Sequence, residues 1–202
     1  MKQQMPEVPG SKQQLIKRKT KYMNRDEIIE KYSEIVSVDS LKARKLIQKL
    51  DYNDDPLLLA HIAQTYLDES RFEEDGTPRE LLKWRKLKTA ERYIVKSFKL
   101  DSNCLLVLST MGSLRRSSGQ NDLAIYCYEK IIELGIKGAK SDKCDLDKDF
   151  AKELINDSKF ELYRLHYEDN PSLSEKYLAM YKKGLEKGIN TIYKPLERFL
   201  LV

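Results

Sequence analysis

An all-α fold is what this sequence predicts, on three observations. Eight Gly and six Pro among 202 residues leave few interruptions, while Lys, Leu and Glu, good helix formers, abound. Helix start signals recur at Asn24, Asp55-Pro56, Thr77-Pro78 and Asn170-Pro171, each a capping side chain or a proline suited to the first helical position. No alternating strand pattern of useful length competes. A hydrophobic content of 41% supplies enough apolar area for the core of one domain.

The elements follow from this punctuation. Asn24 with Glu27 three residues on has capping-box form, and a helix to Val36 places Ile28, Ile29, Tyr32, Ile35 and Val36 on one stripe. Asp39 or Ser40 starts a short helix to Leu50. Asp55-Pro56 opens a third, to about Ser70; charged residues then lead to Gly76, where the chain turns, and Thr77-Pro78 opens a long fourth helix ending near Leu100. Asp101-Ser102-Asn103 breaks the chain before helices over about 103–117 and 121–134, parted by Ser117-Ser118-Gly119. A polar loop with Gly135, Gly138 and Asp142 precedes a helix over about 147–167. Ser172 with Glu175 reads as a capping box for a helix to Lys187, and residues 191–200 are expected to form a short closing helix around Pro195.

An internal frame links these helices. On a 34-residue register, residues 105–135 place Leu108 at position 4, Met111 at 7, Gly112 at 8, Gly119 at 15, Ala124 at 20, Tyr128 at 24 and Ile131 at 27. This pattern resembles the tetratricopeptide repeat. Small residues at 8 and 20 let paired helices approach, and the large apolar positions fill the space between pairs. Residues 56–103 fit the same frame with Leu59, Ile62, Ala63 and Tyr66, then Ala90, Ile94 and Phe98, around a surplus at 71–87 that holds the sole Trp, Trp84. Residues 147–188 make a looser third unit, with Tyr177, Tyr181, Gly184 and Leu185 in its second helix. The resemblance implies a right-handed α-solenoid of antiparallel helix pairs over 24–202, with N-terminal helices and a C-terminal closing helix.

Charge is unevenly placed. Residues 1–25 carry seven basic residues against Glu7, a balance of +6, leaving the remainder at −1. Residues 1–23 are therefore read as a basic, flexible leader. Cys104, Cys127 and Cys144 show no CxxC spacing, so reduced thiols packed in the core are expected. With two histidines and no ligand spacing, a metal site is not expected. Asp142, Asp145, Asp147 and Asp149 alternate as in calcium loops but lack the Gly and Glu such a loop needs, and read as solvated. No nucleotide-binding or nucleophile motif is present, so no catalytic residue or cofactor is expected. No long apolar run is present, and a cytoplasmic protein that stays off the membrane is the expectation.

Binding is what the resemblance implies. Its groove positions on the first helix of a pair fall here on Leu106, Ser109, Ser113, Arg116 and Ser117, and on Leu57, Ala60, Gln64, Leu67 and Asp68 in the preceding unit. The Lys and Asn with which some family members grip a peptide carboxylate are replaced by Ala60, Ser109, Gln64 and Ser113. A mildly polar groove edged by Arg115 and Arg116 is expected. The candidate partner contacts are Gln64, Asp68, Trp84, Leu106, Ser109, Ser113 and Arg116. The function expected is a protein-binding adaptor or scaffold. The alternatives are an immunity-type inhibitor that sequesters a toxin, and RNA or ribosome association through the leader.

Overall fold

The computed structural model describes residues 24–70 and 79–194, with Leu196 and Leu200. Among these residues eight α-helices follow in order: α1 (Arg25–Ile35), α2 (Ser40–Ile47), α3 (Pro56–Glu69), α4 (Arg79–Leu100), α5 (Leu105–Ser117), α6 (Asn121–Leu134), α7 (Lys148–His166) and α8 (Pro171–Glu186). Consecutive helices pair as hairpins, α1 with α2, α3 with α4, α5 with α6 and α7 with α8. The second helix of each pair packs on the first of the next, and α3, α5 and α7 also touch in sequence.

The helix starts are local chemistry. Asn24 accepts from the Glu27 backbone N–H at 2.8 Å and Asp39 from that of Lys42 at 2.8 Å. Asp55 accepts from Leu57 and Leu58 ahead of α3, with Pro56 as its first residue. Each such cap is worth about 1 kcal/mol. α8 starts two residues earlier than a Ser172 capping box requires, because Asn170 caps it and Pro171 fills the first helical position. Thr77-Pro78 lies outside the described residues. Residues 191–194 are not helical, so the expected closing helix does not begin at 191, and Pro195 lies outside the described residues.

One core cluster runs through α3 to α7, with Leu67, Ile94, Leu105, Leu108, Tyr128 and Leu162 inside it. A second joins α1, α2 and α3 through Ile28, Tyr32, Ala43 and Ile47. A third gathers Phe160, Tyr163 and Tyr181 with Tyr193, Leu196 and Leu200. Helix contacts turn on glycines. A Cβ on Gly112 would meet Tyr128 Cζ at 2.8 Å, so the close approach of α5 and α6 there is set by the Tyr128 ring. Gly119 turns the α5–α6 connection at φ +73°, where a side chain would be strained.

Two polar assemblies brace the stack. Arg44 on α2 is buried, pairs with Glu69 on α3 at 2.6 Å and covers the Tyr66 ring at 3.9 Å. Lys86 of α4 also pairs with Glu69. Beyond α6, residues 140–146 fold back on the α4–α5 turn. There Asp101 accepts from Ser141 Oγ at 2.7 Å and the Lys143 backbone at 2.9 Å. Cys104 and Cys144 are joined there as a disulfide with Cα atoms 5.8 Å apart.

That bond overturns the expectation of reduced thiols for Cys104 and Cys144; Cys127 alone is free, and buried. The pairing is invisible in a separation of 40 residues and is made by the folded-back loop. Disulfides persist mainly in oxidising compartments. Among the described residues no helix is long and apolar enough to cross a membrane.

Candidate functional site

The first helix of each pair turns one face to a shared cavity of about 600 Å³. α1 contributes Tyr32 and Ser33, the turn after it Ser37, and α3 His61, Gln64 and Asp68. From α5 come Leu106, Ser109, Ser113 and Arg116, and from α7 Glu153, Asp157, Glu161 and Arg164. Tyr128 of α6 and Ile192 and Tyr193 close the remaining side.

Six of the seven candidate contacts therefore converge: Gln64, Asp68, Leu106, Ser109, Ser113 and Arg116 all line this cavity. Trp84 does not. It stands 59% exposed on α4 in a separate hollow with Lys83, Leu87, Lys88 and Glu91, its ring 4.8 Å from Lys88 Nζ. Other groove expectations are corrected. Ala60 and Leu67 are fully buried in the central core, and Ser117 faces the Trp84 hollow. Arg115 turns there too, binding Glu91 at 2.8 Å and Gln120 at 2.7 Å, so it does not edge the groove with Arg116. The cause is rotational: adjacent helix residues point about 100° apart, so two neighbouring arginines cannot share one wall.

The α7 wall carries most of the charge. Glu161, 4% exposed, lies 3.1 Å from Arg116 Nε through Oε2 and 3.7 Å from Arg164 through Oε1, and accepts a hydrogen bond from the Tyr193 hydroxyl. The Arg116 contact is an ion pair without hydrogen-bond alignment. Asp157, also buried, accepts from Thr191 Oγ1 at 2.6 Å and from the Ile192 backbone at 3.2 Å. Burial pushes its carboxyl up to about 7 against these bonds, with Glu153 and Glu161 adding repulsion. Burial also raises Glu153, partly offset by Lys194. Opposite, burial takes the His61 imidazole down to about 4, so that ring is neutral near pH 7.

Ser113 Oγ lies 3.2 Å from the Tyr128 hydroxyl. Burial raises the phenol further above its already high range, so it holds its proton and does not activate the serine as a base. Among the described residues no group of three or more His, Cys, Asp or Glu is placed to hold a metal ion. Of the alternating aspartates, Asp147 caps α7 through the Asp149 and Phe150 N–H groups, and Asp145 pairs with Lys140 at 3.3 Å.

The sequence frame pointed to α3 and α5 and missed α7. A signal was there: Glu153, Asp157, Glu161 and Arg164 recur at spacings of four, four and three, one face of a helix. Tyr193 left no local signal, since its place depends on the 191–193 segment returning to Asp157. Comparison with known proteins finds no matching family model, no matching curated protein and no matching solved structure.

Proposed function

We propose that this chain is a protein-binding module, a right-handed solenoid of the tetratricopeptide type, holding a peptide or helix of another protein in the cavity faced by α1, α3, α5 and α7. The observation that carries the reading is the convergence of Gln64, Asp68, Leu106, Ser109, Ser113 and Arg116, chosen from a repeat frame, on one cavity. The order of helix contacts, with α3, α5 and α7 touching in sequence and each second helix packing on the first of the next pair, is compatible with such repeats. A volume of about 600 Å³ suits several side chains of a bound segment.

The test is affinity capture from native cells by wild type, Ser109→Phe and Trp84→Ala proteins. Phe at 109 fills the cavity while leaving the core between helices untouched. Partners lost with Ser109→Phe and kept with Trp84→Ala support the groove. A captured set indifferent to Ser109→Phe refutes it.

A further inference from the structure

Four carboxylates line the cavity, Asp68, Glu153, Asp157 and Glu161, against two guanidinium groups, Arg116 and Arg164. Both arginines are directed at the same carboxylate, Glu161. Neutral His61 adds no positive charge. Lys194, an exposed residue whose Nζ is 2.9 Å from Asn190, lies close enough to favour ionised Glu153. Carboxyl groups thus outnumber guanidinium groups in the lining, and because Asp157 titrates near 7 the negative balance is fullest above that pH.

A second observation points to an occupant. Glu161 is more than nine-tenths buried on the cavity wall, and its Oε2 has no hydrogen-bond partner; the Arg116 contact supplies charge but not alignment. A buried carboxylate oxygen left without a donor is costly. One helical turn away, Asp157 takes its two donors from the 191–192 segment, and one turn further Glu153 completes a carboxylate line. Tyr32, Tyr128 and Tyr193 line the same cavity, and aromatic rings favour a desolvated cation.

We propose that the cavity selects a basic segment of a partner protein, one Lys or Arg side chain of which enters between Glu153, Asp157 and Glu161 while its backbone runs along Ser109 and Ser113. This rests on the protein-binding reading above and names the chemistry of its occupant. An ammonium or guanidinium group donates to the orphaned Glu161 oxygen and offsets the repulsion among the three carboxylates. The serines offer hydroxyls that donate to or accept from peptide groups without fixing a sequence.

The experiment is fluorescence anisotropy of the full chain with labelled nine-residue peptides that alternate Ser with Lys, Arg, Glu or Leu, and with spermidine as competitor. The Lys and Arg peptides are expected to bind at least about tenfold more tightly than the Glu or Leu peptides, the discrimination of one charge-assisted contact. Added salt should weaken them. Glu153→Gln with Asp157→Asn should cost about tenfold more, since both carboxylates lose charge but not shape, whereas Lys83→Gln in the Trp84 hollow should change nothing. Equal binding of Glu and Lys peptides overturns the inference, as does basic-peptide binding indifferent to the double substitution. Full displacement by spermidine at equal concentration assigns the site to small polyamines instead. If Leu or Glu peptides bind best and Ser109→Phe abolishes that binding, the groove stands and the basic occupant falls. If no peptide binds, both fall.

Discussion

Gly184→Ala should destabilise the protein, and Asn156 is the reason. A Cβ on Gly184 would lie 2.1 Å from Asn156 Oδ1 and 2.5 Å from its Cγ. Asn156 cannot swing away at no cost, because it is fully buried and its Nδ2 donates to the Tyr181 carbonyl at 3.2 Å. Overpacking of a tight contact costs about 1–3 kcal/mol, and the strained hydrogen bond adds about 1 kcal/mol. Against these, replacing Gly by Ala in a helix returns about 1 kcal/mol. The net loss is about 1–3 kcal/mol, or about 3–10 °C in Tm for a domain of this size. Urea denaturation measures the free energy, and calorimetry the Tm. In the background of Asn156→Ala the new methyl enters vacated space, so the double variant should be more stable than the sum of the single losses by at least about 1 kcal/mol. A Gly184→Ala protein as stable as wild type would refute the claim that the missing Cβ sets the α7–α8 distance.

Other outcomes follow from the same kind of reasoning. Purified without reductant and denatured, the chain should titrate one thiol, Cys127, and three after reduction; closing a 40-residue separation stabilises by about 4 kcal/mol in the chain-entropy account, so dithiothreitol should lower Tm by about 8–16 °C. Glu69→Gln removes the charge that Arg44 and Lys86 share, leaving buried Arg44 uncompensated, and should cost about 3–5 kcal/mol by urea titration. His61 and Asp157 give opposite pH limbs. The folded His61 value of about 4 lies below the ordinary 6.5, so its stabilising contribution is whole above about 6.5 and is lost as pH falls toward 4. The folded Asp157 value of about 7 lies above 3.8, so its contribution is whole below 3.8 and is lost as pH rises through 7. Urea midpoints against pH should lose the acid limb in His61→Phe and the neutral limb in Asp157→Asn.

What was legible in the sequence was what is decided within a few residues. Asn24, Asp55 and Asn170 start helices because a side chain reaches an amide two or three positions on. The groove residues of α3 and α5 were legible because a repeat frame converts position into direction. The frame failed where helix rotation departs from it: Ala60 and Leu67 went to the core, and Arg115 turned to Glu91. The Cys104–Cys144 bond, the Arg44–Glu69–Lys86 assembly and the Asp157–Thr191 clasp join residues far apart in sequence, and nothing local marks them. Trp84 stood out by its rarity, yet its exposed place on α4 follows from the extra helical turns before Ala90.

The aromatic cluster of Phe160, Tyr163 and Tyr181 has a consequence for the cavity. Tyr193, Leu196 and Leu200 lie across it, and Thr191 is fastened to Asp157 and to the Tyr181 hydroxyl. The aromatic surface shared by α7 and α8 is thereby covered by the returning chain. The segment that covers this cluster also supplies Tyr193 to the cavity. Cover for the aromatic cluster and the shape of one cavity wall are thus two results of one short return of the chain.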